Sequence, residues 1–428
     1  MDGANGPAPV EPADNARYLE AITSCGDQRP LVVAQPIYSC TGIKLLDKGA
    51  KFDSRILERL FGHSLAEPID RCVASADAVR HKDLVARARE LAAATPLLAH
   101  FESGLAAPAD RLWSALASCP LPPAIAMRLT VARDTAAGVY EHLLKAAFIA
   151  LFIGVRARFS GGDLQTLATA ALLHDVGMMH VDPAPFEAEK ALDAAGRRSL
   201  HAHPVTGQLI AQREPLLSPA IATAIAQHHE RLDGTGYPRG LSSDAIGKFA
   251  RVLMLVEIVL ALLEHQRERP DLQLSLILRL NHRSFDAGLS AIVLAALPSL
   301  ALNEGDTPGT GSEYQQVTTL FDAWPRLCGQ MPPAAGDSAA AFIDARINRL
   351  RRWLADAGLG DPEAAVRAAD GAPMVGAEMA GLTHETLWHV RQIAYDALHR
   401  WPGLSPDGPA APSAARDWVS TASSVVDA

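Results

Sequence analysis

The stretch "ATAALLHDVGMMH", residues 168–180, carries the reading of the fold. Leu164 and Leu167 upstream join Ala171 and Leu172 at three- and four-residue spacing, which predicts a helix with that stripe turned into a core. The helix delivers His174 and Asp175 at its end, and Gly177 then breaks it. A histidine and a carboxylate at the end of an apolar helix are either a plain polar terminus or part of a site. The choice depends on what the rest of the chain brings to the same place.

Four more segments supply candidates. "GVYEHLLKAAFIALF" (138–152) sets His142 on an apolar helix, and "SLHAHPVTGQLI" (199–210) offers His203 directly before Pro204. "QHHERLDGTGYPRG" (227–240) ends a helix in His228, His229 and Glu230 and then turns through two glycines, a tyrosine and a proline. "RVLMLVEIVLALL" (251–263) holds a single acid, Glu257, in a helix so apolar that it is buried on most sides. A buried carboxylate has to be neutralised, hydrogen-bonded or bound to a cation. Each residue also has a plain reading: His142 as a hydrogen-bonded core histidine, His174–Asp175 as a helix-end pair, Glu257 as the partner of an arginine. Together, five histidines and two carboxylates on helices or helix ends of one domain fit a mixed His/carboxylate metal cluster.

The composition sets the frame. A chain of 428 residues with 49% hydrophobic content has room for two or three domains. The net charge of -9 argues against a broad electrostatic footprint for DNA or RNA, and leaves a small anionic ligand held by local positive charge, such as a metal. Cys25, Cys40, Cys72, Cys119 and Cys328 are scattered and never form a CxxC pair, which reads as reduced thiols of a cytoplasmic protein. The opening "MDGANGPAPVEPADNARYLE" has no apolar signal-peptide core, and the longest apolar runs fall short of the ~18 residues of a membrane span. A membrane partner is therefore not expected.

The fold class expected is mainly α. Residues 1–16 read as a disordered tail, and 17–120 as a small mixed α/β accessory module. Its short strands break at Thr41–Gly42 and Lys48–Gly49, and Asp53 or Ser54 caps a following helix. The Pro-rich "SCPLPPAI" (118–125) is the expected boundary to an all-helical bundle over 127–300. A Gly-rich linker (303–313), a helical C-terminal region (314–401) and a disordered tail (402–428) complete the expected order. In the C-terminal region Ile343, Ile347, Leu350 and Leu354 mark one amphipathic helix, and Leu387, Val390, Ala394 and Leu398 another.

Taken in chain order, His142, His174–Asp175, His203–Pro204, His228–His229–Glu230 and Asp233–Gly234–Thr235–Gly236–Tyr237–Pro238, with an acid twenty residues after the Tyr, resemble the HD-GYP family. That family is a branch of the HD phosphohydrolases, and many members hydrolyse the bacterial second messenger cyclic di-GMP. The resemblance covers about 127–275 and implies a central HD-type bundle holding two divalent transition metals, Fe or Mn rather than Zn. It implies that His142, His174, Asp175 and Glu257 form one ligand set, that His203, His228 and His229 extend it to a second metal, and that Asp175 is the catalytic, bridging carboxylate. Two cations ~3.5–4 Å apart lower the pKa of a bound water and clamp the oxygens of a phosphodiester. Asp233, Gly234, Gly236, Tyr237 and Pro238 would line the place of the substrate or of a partner protein. A homodimer is compatible with the same reading.

The sequence also departs from that family. Relatives carry Lys after the HD-x-Gly step, where this chain has Met178. A thioether offers neither charge nor proton to a phosphate, and losing such a group costs ~10²–10³ in rate. Glu257 stands for the usual Asp, Leu260 for another Asp of the same helix, and Gly138 for a Glu that binds a third metal in some members. His180 and His201 match no ligand position and read as ordinary polar residues. The leading reading is a metal-dependent phosphodiesterase opening cyclic di-GMP to pGpG or GMP. The alternatives are a degenerate member acting as a cyclic di-GMP receptor or protein scaffold, and an HD phosphohydrolase acting on another nucleotide.

Overall fold

A computed structural model describes residues 16–105, 109–181, 194–264, 270–298, 324–325, 338–356, 376–404 and 414–426. They fall into two compact units. One runs to Ala261 and adds 283–296, and the other takes 262–282 and the residues from Leu297 on. The expected tail up to residue 15 and the expected linker 303–313 lie outside the described residues.

The first unit opens with the helix Ala16–Gln28, which buries Tyr18, Leu19 and Ile22. Two antiparallel strand pairs follow the expected breaks: Leu31–Val33 with Val73–Ser75, and Ile37–Tyr38 with Lys44–Leu46. Asp53 caps the turn Ser54–Ile56 by accepting the Arg55 N–H. Helices His81–Ala94, Pro96–Ser103 and Ala109–Ala117 come next. The Pro-rich segment then departs from expectation. Pro123 is the first residue of the helix Pro123–Thr135, where a missing N–H costs nothing, and Ala124 to Ala132 are buried. The prolines start a core helix, so 118–125 lies inside one compact unit instead of dividing two.

The bundle helices are Ala137–Arg156, Gly161–Leu173, Ala194–Gln212, Pro219–Gln227 and Lys248–Glu264. Ser160 accepts the Asp163 N–H and so fixes the start of the helix that ends before His174. Among the described residues, Ala137–Arg156 is the one helix long and apolar enough to cross a membrane, yet Ala146 to Val155 are all buried by neighbours. Its apolar surface serves the core. At Gly154 a Cβ would come within 2.9 Å of Leu164 and 3.0 Å of Leu167, so this helix and the next pack closely there.

The second unit packs Pro270–Leu280, Ala339–Asp356, Gly376–Arg400 and Ala414–Val426 around Ile343, Ile347, Leu350, Val390 and Ala394. The first amphipathic stripe read from the sequence is buried, and of the second Val390 and Ala394 are buried while Leu387 and Leu398 are half-buried against the same core. The expected tail 402–428 is corrected: 414–426 is a helix whose Ala415, Trp418, Val419 and Ala422 form a buried stripe at helical spacing. The Trp418 ring meets Trp324 edge-on at 6.0 Å, an anchor that the Ala/Ser-rich composition conceals.

Candidate metal centre

Three of the histidines share one device. His174 follows the helix Gly161–Leu173, and His228 follows Pro219–Gln227, where the last carbonyls have no helical N–H to accept. His174 Nδ1 donates to the Ala171 carbonyl at 2.8 Å and His228 Nδ1 to Ile225 at 2.6 Å. His203 lies inside a helix, and there Pro204 does the same work. Proline has no N–H for the carbonyl four residues back, which is that of Leu200, and His203 Nδ1 donates to that carbonyl at 2.5 Å. A carbonyl only accepts, so each Nδ1 carries a proton, and in the neutral ring each Nε2 presents a lone pair.

Those lone pairs converge. His203 Nε2 and His228 Nε2 are 3.2 Å apart, as are His142 Nε2 and His174 Nε2. Asp175 spans the two pairs. Its Oδ1 lies 3.1 Å from His203 and 3.4 Å from His228, while its Oδ2 lies 3.4 Å from His142 and 3.8 Å from His174. Glu257 Oε1 is 2.8 Å from His174, and Oε2 is 3.9 Å from His229. Asp175 with His203, His228 and His229 can converge on one ion, and His142 with His174 and Glu257 on another. Ligand atoms around an ion at ~2.1 Å stand ~3.0–3.4 Å from each other, close to the separations seen. Asp175 Oδ1 and Glu257 Oε1 are buried without an aligned hydrogen bond despite these short contacts. Two pairs of imidazole nitrogens at 3.2 Å and two buried carboxylate oxygens without an aligned hydrogen bond fit a pair of cations.

The charges point the same way. Burial alone would raise the Asp175 carboxyl, but the facing His174 and His203 hold it well below the usual carboxylate range. Burial opposes Glu257 too, and His174 holds it down. His174 is depressed by burial but lifted more strongly by Asp175 and Glu257, ending at about 9. Burial pushes His228 down, and it pushes His229 well below the ordinary imidazole value, with the neighbouring His228 adding to the effect. The set thus offers two ionised carboxylates, with His228 and His229 resisting protonation and His174 holding a proton against Asp175 and Glu257 in the place a cation would take.

The loop after His229 is fixed by residues that the metal reading does not use. Glu230 is fully buried and accepts the backbone N–H groups of Arg239 and Leu241, each at 2.8 Å. Asp233, expected at the substrate, accepts the Thr235 N–H and hydroxyl at 3.0 and 2.6 Å, and the Ser284 hydroxyl at 3.1 Å. Gly234 has φ +78, and at Gly236 a Cβ would sit 2.4 Å from the Glu230 backbone, so both positions require glycine. The Tyr237 N–H donates to the His229 carbonyl at 3.0 Å, and the Tyr237–Pro238 peptide is cis. The Tyr237 ring stacks on His229 at 4.6 Å and on His201 at 4.0 Å. His201 therefore supports the loop, a role with no signal in its sequence position.

The departures have plain places. Met178 is half-buried in the turn Val176–His180, and Leu260 is fully buried. Gly138 is exposed, with open space where its Cβ would be. Gly177 allows a close approach, because a Cβ there would lie 2.1 Å from the His203 carbonyl oxygen.

Residues 129–286 match a family model described as HD domain. The 3'3'-cGAMP-specific phosphodiesterase 3 of Vibrio cholerae is 31% identical over 163 residues, which cover 38% of this chain and 35% of that protein. A cyclic di-GMP phosphodiesterase of Pseudomonas aeruginosa is 31% identical over 127 residues, 29% of this chain and 30% of that protein. The chain thus spans about a third of the length of the curated relatives it matches. Among solved structures, a HDG"Y"P protein from Bdellovibrio bacteriovorus aligns over 64% of this chain and 96% of its own, at 15% identity and a TM-score of 0.35.

Proposed function

From a chain that carries an HD domain of the HD-GYP family over residues 129–286, we propose a metal-dependent phosphodiesterase acting on a cyclic dinucleotide, with cyclic di-GMP as the leading substrate and pGpG or GMP as product. The observation that carries this reading is the single carboxylate of Asp175, whose two oxygens face two separate groups of ligand atoms. His142, His174 and Glu257 would hold one divalent ion and His203, His228 and His229 the other, with Asp175 between them. When bound, the pair would supply a water acidified for attack and a clamp on the phosphodiester oxygens.

The chain's own residues do the rest. Two ionised carboxylates against two divalent ions leave the site net positive, which draws a phosphodiester to a protein of net charge -9. Burial, then the charges of Asp175 and Glu257, raise the Tyr237 phenol, so Oη keeps its proton and offers a hydrogen bond to an incoming phosphate. Glu230 and the two glycines shape the loop that stacks Tyr237 on His229. Fe or Mn, a cytoplasmic location and a protein partner at the loop belong to this proposal. Two relatives named for 3'3'-cGAMP favour that nucleotide as a second reading.

The test is anaerobic reconstitution with Fe(II) or Mn(II), followed by chromatography of products from cyclic di-GMP and 3'3'-cGAMP. Linear dinucleotide or mononucleotide from either supports the reading, and the ratio assigns the substrate. Binding of cyclic di-GMP without product, in a protein loaded with two metals, would replace the enzyme by a receptor, as Met178 in place of lysine allows.

A further inference from the structure

His180 closes the turn that begins after Asp175, and it is held by side chains far from it in sequence. Arg128 Nη1 lies 2.9 Å from His180 Nε2, and because a guanidinium only donates, that ring nitrogen is the acceptor. Arg128 Nη2 donates to Asp70 Oδ2, and the Tyr18 hydroxyl donates to Asp70 Oδ1. The Tyr18 ring stacks on His180 at 5.0 Å and lies 4.0 Å from the Arg128 guanidinium carbon. Tyr18, Asp70 and Arg128 are buried, and His180 is half-buried. Removing either member of the buried ion pair strands the other charge, so the group favours one arrangement.

The turn Val176–His180 is pinned at three points. Asp175 stands at its start, Gly177 packs against the His203 carbonyl, and His180 stands at its end in the Arg128 network. A shift at His180 therefore reaches Asp175, which faces both ligand groups, and His203, which belongs to one of them. Tyr18 and Asp70 come from the helices Ala16–Gln28 and Ile69–Cys72 of the N-terminal segment, and Arg128 from Pro123–Thr135.

We propose that Tyr18, Asp70, Arg128 and His180 form a latch through which the N-terminal segment sets the position of Asp175 and His203, with His180 as a positioning residue of the metal centre. The proposal rests on the metal-site reading above, but its test does not require turnover. In the full chain, His180→Leu removes the acceptor and should weaken Mn(II) binding ~10–100-fold, the usual effect of disturbing a support behind metal ligands. His180→Gln, whose Oε1 can take the place of Nε2, should bind Mn(II) close to wild type. Leu19→Ala opens a cavity on the same N-terminal helix outside the latch, and should lower the melting temperature without weakening Mn(II) binding. Wild-type affinity in His180→Leu overturns the latch alone, as does equal weakening in Leu19→Ala. A wild-type protein that takes up no Mn(II) overturns the metal reading and the latch together. Should His180→Leu fail to fold, Tyr18→Phe removes one oxygen from the same network: weakened Mn(II) binding then supports the latch, and unchanged binding overturns it.

Discussion

Glu230→Gln should loosen the Gly-rich loop while leaving the metal ligands in place. The Glu230 carboxylate is fully buried and accepts two backbone N–H groups at 2.8 Å, those of Arg239 and Leu241. A hydrogen bond to a charged group contributes ~1.5–3 kcal/mol, and an unsatisfied buried donor costs ~1–3 kcal/mol. Glutamine keeps one oxygen and turns an NH2 towards the other N–H, so one bond is lost and a donor is stranded, for a total of about 2.5–6 kcal/mol. At ~1.4 kcal/mol per factor of ten, opening of this loop becomes about 60- to 20,000-fold more frequent. Native-state hydrogen exchange at the Arg239 and Leu241 amides reads this directly. Metal content should not change, since neither Glu230 oxygen belongs to the ligand groups. Unchanged exchange at these two amides would refute the reasoning, because the loop would then be held by something other than Glu230.

Asp175→Ala should abolish metal uptake and any phosphodiesterase activity while the far-ultraviolet helical signal persists; activity in that variant means the site is misassigned. Met178→Lys should raise turnover of cyclic di-GMP about tenfold or more, part of the ~10²–10³ that a positioned cation contributes; an unchanged rate at full metal loading shows that the missing lysine is not limiting. Acid sensitivity should trace to His180, which burial, then the charge of Arg128, push down to about 3. Its folded pKa lies below the unfolded value of ~6.5, so its contribution is present above that pH and is lost as pH falls towards 3. Denaturant titration should therefore show wild type losing about 2 kcal/mol more than His180→Gln between pH 6.5 and 5, and equal losses contradict the assignment.

The parts of the site legible in the sequence are those that local chemistry dictates. A histidine at a helix end, or one before a proline, finds a free carbonyl within its own segment, so His174, His203 and His228 are marked by their neighbours. Glu257 is legible as a candidate because a lone acid in so apolar a helix must be neutralised, hydrogen-bonded or bound to a cation. What stayed hidden depends on partners beyond the helical segment that carries the residue. Glu230 reads as one more acid in a motif until the amides of Arg239 and Leu241 are seen on it, and His201 reads as an ordinary polar residue until Tyr237 stacks against it. His180 gains its meaning from Tyr18, Asp70 and Arg128, residues at least fifty positions away. Composition misled twice. It made a boundary of prolines that begin a core helix, and a tail of a segment anchored by Trp418.

The central claim is that Asp175 joins two ion sites, and elemental analysis of the purified full chain after loading with Fe(II) or Mn(II) tests it most directly. Close to two ions per chain are expected, falling to none in Asp175→Ala. A protein that stays empty with Fe(II), Mn(II) or Zn(II), or one that keeps both ions without Asp175, would contradict the account.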